Sequence, residues 1–171
     1  LVLVVGVELG LLAGVALSVA LFIRNSSQPN ITQVGRLGES EQFRSVKRYP
    51  VNLHEQILAL RIDENIFFAN AVQIEEKLLR RVLGRHGTKH LLLVCNAVNH
   101  IDATGLSMLL RVNQQLQSSG VQLHFSDIKG PLMQQLDQTE LARGISGEIF
   151  FNADQAFKSL TGDSTAAHAN P

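Results

Sequence analysis

Residues 1–23, LVLVVGVELGLLAGVALSVALFI, are apolar throughout except for Glu8 and Ser18. At about 1.5 Å of rise per residue, a helix over this stretch reaches roughly 35 Å, enough to cross a hydrocarbon core of about 30 Å. The pattern predicts a transmembrane helix over 1–23, with the lipid bilayer as its first partner. Residues 24–51 sustain no apolar period and are punctuated by Pro29, Gly35, Gly38 and Pro50, so they read as a juxtamembrane linker. Ile31, Val34, Leu37 and Phe43 are the linker positions able to pack. From 52 to 160 the chain alternates short β-prone runs with amphipathic stretches, the signature of one α/β domain. Residues 161–171 are small and polar and predict a disordered tail.

Within the domain, Ile57–Ile62 and Ile66–Phe68 are β-prone runs separated by Asp63-Glu64-Asn65, a spacing that suits a hairpin. Asn70 is placed to cap a helix over 71–85, whose Ala71, Ile74, Leu78 and Val82 share one face. Glu75, Glu76, Lys77, Arg80 and Arg81 cover the rest of that helix, with Glu76 and Arg80 at the favourable i,i+4 spacing. Leu91–Cys95 is apolar without alternation, as expected of a central strand covered on both faces. Leu106, Leu109, Leu110, Val112 and Leu116 line a second helix that stops near Gly120, and Val121–Phe125 alternates as a strand with one wetter face. Gly130-Pro131 opens a short helix, Ile149–Phe151 forms a last strand, and Asn152 caps a final helix to about Leu160. The fold class is therefore α/β, a sandwich of four or five strands with helices, preceded by one membrane helix.

Composition and charge add orientation. Arg24, Arg36, Arg44, Lys47 and Arg48 outweigh Glu39 and Glu41 beside the span, which places the soluble part on the cytoplasmic side. A formal net charge of zero offers no signature of a nucleic-acid binder, which needs a clustered positive surface. Cys95, a single cysteine, forms no intramolecular disulfide. Gly6, Gly10, Gly14 and Ser18 recur every fourth residue and put small side chains on one stripe, a surface for close helix packing in the membrane. Because the chain starts inside an apolar run without Met, it reads as the closing part of a longer polypeptide. A signal peptide fits less well, since neither a basic leader nor a small-x-small cleavage site flanks the run.

The loop His100-Ile101-Asp102-Ala103-Thr104-Gly105 joins the buried strand to a helix N-terminus, where open α/β folds gather ligand and partner contacts. Asp102 and Thr104 can each cap that helix, and Gly105 permits close approach. Other chemistry is thin. His54, His86, His90, His100, His124 and His168 lack metal-ligand spacing, so neither a metal nor a cofactor is expected. Ser107 has no base in the pattern, no Gly-x-Ser-x-Gly elbow occurs, and Gly84 and Gly87 do not make a phosphate-cradling loop, so no enzyme is expected.

A buried apolar strand, then Asp102-Ala103-Thr104-Gly105-Leu106 at a helix start, then Val121–Ser126 followed by Asp127-Ile128-Lys129-Gly130-Pro131, resembles a STAS domain. Glu8-Leu9-Gly10 with Gly14, Val34-Gly35-Arg36, Glu41-Gln42-Phe43-Arg44 and Phe67-Phe68-Ala69-Asn70 make nearly the whole chain similar to the C-terminal part of bacterial SulP anion permeases, the sulfate permease family. That resemblance implies the last transmembrane helix and cytoplasmic STAS domain of a secondary active carrier of inorganic or small organic anions, in a bacterial inner membrane. It implies as partners the rest of the membrane domain and a second copy in a homodimer, with a cytoplasmic regulatory protein as a further candidate. The alternative is a membrane-tethered STAS signalling module related to anti-sigma-factor antagonists. In those proteins a phosphorylatable Ser follows the loop Asp, whereas here Ala103 stands there and only Thr104 offers a hydroxyl. The resemblance thus marks Asp102, Ala103, Thr104 and Gly105 as a regulatory or partner loop.

Overall fold

A computed structural model of the chain describes residues 6–162. Helix α1 runs Val7–Ser26 and is followed directly by strands β1 (Ile31–Arg36), β2 (Phe43–Ser45) and β3 (Ile57–Ile62). Then come α2 (Ala71–Leu83), β4 (His90–Val94), α3 (Ala103–Ser118), β5 (Gln122–Ser126), α4 (Gly130–Asp137), α5 (Glu140–Gly144), β6 (Ile149–Phe150) and α6 (Ala153–Thr161). The stretch Val7–Asn25 is long and apolar enough to cross a membrane and stands clear of the domain core. Leu1–Val5 of the expected span, and 163–171 of the expected tail, lie outside the described residues.

The six strands form one mixed sheet in the order β2-β1-β3-β4-β5-β6. β2, β1 and β3 pair antiparallel, whereas β3 through β6 pair parallel, with Leu60 opposite Leu93 and Leu93 opposite Phe125. Period-two alternation sorts the side chains into two cores. Leu58, Leu60, Ile62, Leu91, Leu93, Leu123 and Phe125 meet the apolar faces of α2, α3 and α4 on one side. Ile57, Ala59, Leu92, Val94 and Phe150 meet Ala153 and Ala156 of α6 on the other. Leu91, Leu92 and Leu93 are fully buried, as the unalternating run requires of a strand covered on both faces.

Two expectations need correction. The stretch 24–51 contains β1 and β2, so the sheet has six strands where four or five were expected. Ile-Thr-Gln-Val-Gly-Arg shows no clean alternation because Ile31 enters one core and Val34 the other. Gly35 is also closely covered, since a Cβ there would lie 2.7 Å from the Asn52 carbonyl oxygen. The expected hairpin between 57–62 and 66–68 does not form either. Both edges of β3 are already taken by β1 and β4, so Ile66 instead makes an isolated parallel bridge to Ile101.

The helix surface differs in one detail as well. Glu75, placed by the sequence on the polar side of α2, is bound by Arg111 of α3 at 2.7 Å and thereby ties the two helices together. Glu76 and Arg80 do not pair among the described residues.

Candidate functional site

The Asp102 loop lies at the carboxyl ends of the parallel strands. Asp102 has extended backbone angles and its Oδ1 accepts from the Gly105 N–H at 2.7 Å, capping α3. Its Oδ2 accepts from the Phe68 N–H at 2.9 Å, so one carboxylate joins the start of α3 to the segment that enters α2. Gly105 is required by close packing: a Cβ would lie 2.8 Å from Ile66 Cγ2 and 2.9 Å from Ile101 Cγ2. Ala103 and Thr104 occupy the first turn with exposed side chains. Asp102, not Thr104, is the cap.

Asn65 and Asn70, read from the sequence as a turn residue and a helix cap, instead brace this loop. Asn65 Oδ1 accepts from the N–H groups of Asn99 and His100 at 2.8 and 3.1 Å. Asn70 is fully buried and does not cap α2 with its side chain; its Oδ1 accepts from the Phe67 N–H and its Nδ2 donates to the Asn65 carbonyl. Lys129 Nζ donates to Asn99 Oδ1, and Gln135 Nε2 donates to the Ile101 carbonyl. Asn65, between a strand and a Phe-Phe pair, carried a legible turn signal. The bonds from Lys129 and Gln135 span 30 and 34 positions and left no local mark.

Beside the loop is a cleft of about 630 Å³ lined by Asp63, Asn65, Phe67, Phe68, His100 and Asp102, and reached by Phe22 of α1. Phe68 is 64% exposed there and packs edge-on against Phe67. The exposed Phe68 ring beside the Asp63 and Asp102 side chains makes this a mixed apolar and polar contact surface. Among the described residues no group of three or more His, Cys, Asp or Glu side chains could hold a metal ion. On α1, Gly10, Gly14 and Ser18 lie within the helix, while Gly6 is its cap residue with φ of 89°.

The scattered histidines include one pair. His124 is only 2% exposed, and its Nδ1 accepts from the Glu148 N–H at 3.0 Å. The neutral ring must therefore carry its proton on Nε2, which faces His90 Nδ1 at 3.1 Å. Burial, then the neighbouring His90, lowers the His124 pKa to about 4. Burial also lowers that of His90, with Lys89 and His54 acting the same way. Burial raises the Cys95 thiol to about 12, so that side chain is an inert core group.

The family model for the STAS domain matches residues 48–156. The chain belongs to the STAS domain family. Its STAS domain and α1 together are 29% identical over 173 residues to a high affinity sulfate transporter of Stylosanthes hamata, covering 94% of this chain and 26% of that protein. The chain thus spans about a quarter of the length of the curated relatives it matches. Among solved structures, murine Slc26a9, an anion transporter in the inward-facing state, superimposes with a TM-score of 0.74 at 16% identity, over 89% of this chain and 25% of that one. The SulP transporter STAS domain from Vibrio cholerae gives 0.53 at 21% identity, over 66% of this chain and 86% of that one. These likenesses bear out the STAS fold and the resemblance to the SulP family.

Proposed function

We propose that the chain is the closing membrane helix and cytoplasmic STAS domain of a secondary active transporter of inorganic or small organic anions, with the domain in a regulatory and assembly role. The observation that carries this reading is the reach of the similarity: it runs through the apolar helix and the domain together, over 94% of the chain, in a relative named as a sulfate transporter. A tether alone needs no Gly10/Gly14/Ser18 stripe, whereas a multi-helix bundle does. The cations at Arg24, Arg36, Arg44, Lys47 and Arg48 support a cytoplasmic placement of the domain.

In this reading the Asp102 loop is the regulatory or partner surface. The carboxylate holds the loop's shape, and exposed Ala103, Thr104 and Phe68 supply contacts to the membrane domain, to a second copy or to a cytoplasmic protein. With Ala103 after the aspartate, Thr104 is the hydroxyl left for modification on that turn. The exposed turn also keeps the second reading in play, a tethered binding module that transports nothing. Uptake of labelled sulfate, bicarbonate and succinate by proteoliposomes holding the full-length protein distinguishes the two. Saturable uptake of at least one anion supports the carrier, and none above protein-free liposomes leaves the module.

A further inference from the structure

α2 is held on both flanks. On one side Glu75 binds Arg111 of α3, and on the other Lys77 Nζ donates to the Pro29 carbonyl at 2.6 Å and Arg81 Nη2 to the Ile31 carbonyl at 2.7 Å. The ridge left between these flanks is Val72, Glu76, Leu79, Arg80 and Leu83. At about 100° per residue, Val72 and Leu83 point within about 20° of each other, about three turns apart, with Glu76 and Arg80 between them along the helix. Val72 is 55% and Leu83 66% exposed, so the two ends of the ridge are apolar and open. In its middle Glu76 and Arg80 are also exposed, and neither forms an ion pair among the described residues.

The order apolar, acidic, basic, apolar is self-complementary in one orientation. A second copy of α2 laid antiparallel, about a twofold axis level with Leu78, brings Glu76 of each copy opposite Arg80 of the other. The same axis brings Val72 of each copy to within one residue, about 1.5 Å of rise, of the level of Leu83 of the other. The half-buried Leu79 of both copies lies close to the axis. A parallel copy would instead set Glu76 against Glu76 and Arg80 against Arg80, which repel. The charges thus select the register, and the apolar ends supply the burial.

We infer that α2 is a contact surface between two copies of this chain, packed antiparallel through Val72, Glu76, Arg80 and Leu83. This deepens the assembly role proposed above and rests on it. A ridge on a helix of 13 residues, about 20 Å long, is small beside the about 1,200–2,000 Å² that a stable interface between free proteins buries. Two copies anchored in one bilayer need less. α1 ends at Ser26 and β1 begins at Ile31, so the short tether keeps both domains at the membrane surface and raises their effective concentration.

The test uses the full chain in phosphatidylcholine liposomes, with the buried Cys95 as its single native cysteine. Differently tagged chains carrying Val72→Cys and Leu83→Cys are mixed before reconstitution and oxidised with copper phenanthroline, and the disulfide-linked dimers are quantified on a gel. The antiparallel contact predicts a dimer joining Val72→Cys to Leu83→Cys and little joining Val72→Cys to itself, since those two positions lie about 18 Å apart along the helices. Added to both chains, Glu76→Arg or Arg80→Glu should each cut the mixed dimer at least about fivefold. Glu76→Arg on one chain with Arg80→Glu on the other should restore it to within about twofold, which also shows that both variants fold. The inference is overturned by absence of the mixed dimer, by a Val72→Cys self-dimer as abundant as the mixed one, by charge variants without effect, or by a loss that the opposed pair does not restore. The readout is the contact and not transport. Anion uptake without this dimer refutes the contact alone, and the dimer without uptake refutes the carrier alone.

Discussion

The buried His124 makes a quantitative prediction about acid stability. In the folded chain its pKa is lowered to about 4, against about 6.5 for an unfolded histidine. Below pH 6.5 the unfolded state therefore takes up a proton that the folded state refuses, and stability falls with falling pH until about pH 4. At 1.36 kcal/mol per unit the full loss is about 3 kcal/mol, of which about 2 kcal/mol is reached by pH 5. The cause is geometric as well as dielectric. A second proton on the ring would sit on Nδ1, where the Glu148 N–H already points, and Gly147 packs so closely that a Cβ would lie 2.5 Å from the ring. Urea unfolding at pH 7.5 and pH 5 measures the loss, and His124→Gln, which keeps an acceptor and a donor but does not titrate, removes its source. The pH-dependent loss should shrink by about 2 kcal/mol in the variant, whatever its absolute stability. An equal loss in parent and variant would refute the reasoning.

Two further substitutions probe the loop and the central strand. Asp102→Ala removes a cap, about 1 kcal/mol, and a charge-assisted bond to the Phe68 N–H, about 1.5–3 kcal/mol. At about 3–5 °C per kcal/mol, Tm should fall by about 8–20 °C, and a calorimetric Tm within about 2 °C of the parent contradicts the double role. Leu93→Asp places a carboxyl in a fully buried strand, where holding it neutral at pH 7 costs about 4 kcal/mol beyond the lost apolar burial. Circular dichroism should show no cooperative melt, and a parent-like transition would mean that the strand is not covered on both faces.

The central strand and the helices after it were legible because their signals are local. An unbroken apolar run, a stripe at i, i+3 and i+7 and an Asp before a helix each dictate their structure without reference to distant residues. β1 was not, because its six residues divide their apolar contacts between two cores and its polar positions border α2 and β3. Ile66 failed for a related reason: β-propensity was present, but β3 had no free edge to offer it. At the site, the Asp102 cap was readable from the loop, whereas its bond to Phe68 spans 34 positions. The bonds of Lys77 and Arg81 to the Pro29 and Ile31 carbonyls were hidden in the same way. Lys77 and Arg81 look like solvated helix positions until β1 and the residues before it are brought against them.

These strands also change how the regulatory role is best tested. A truncation after Pro50 would leave β1 and β2 without the rest of their sheet, so the cut belongs after Ser27, just beyond α1. Labelled sulfate uptake and oligomeric state should be measured in the full-length protein with and without everything from Gln28 onward. The account predicts reduced uptake or lost assembly in the truncated form; undiminished uptake with an unchanged oligomer contradicts it.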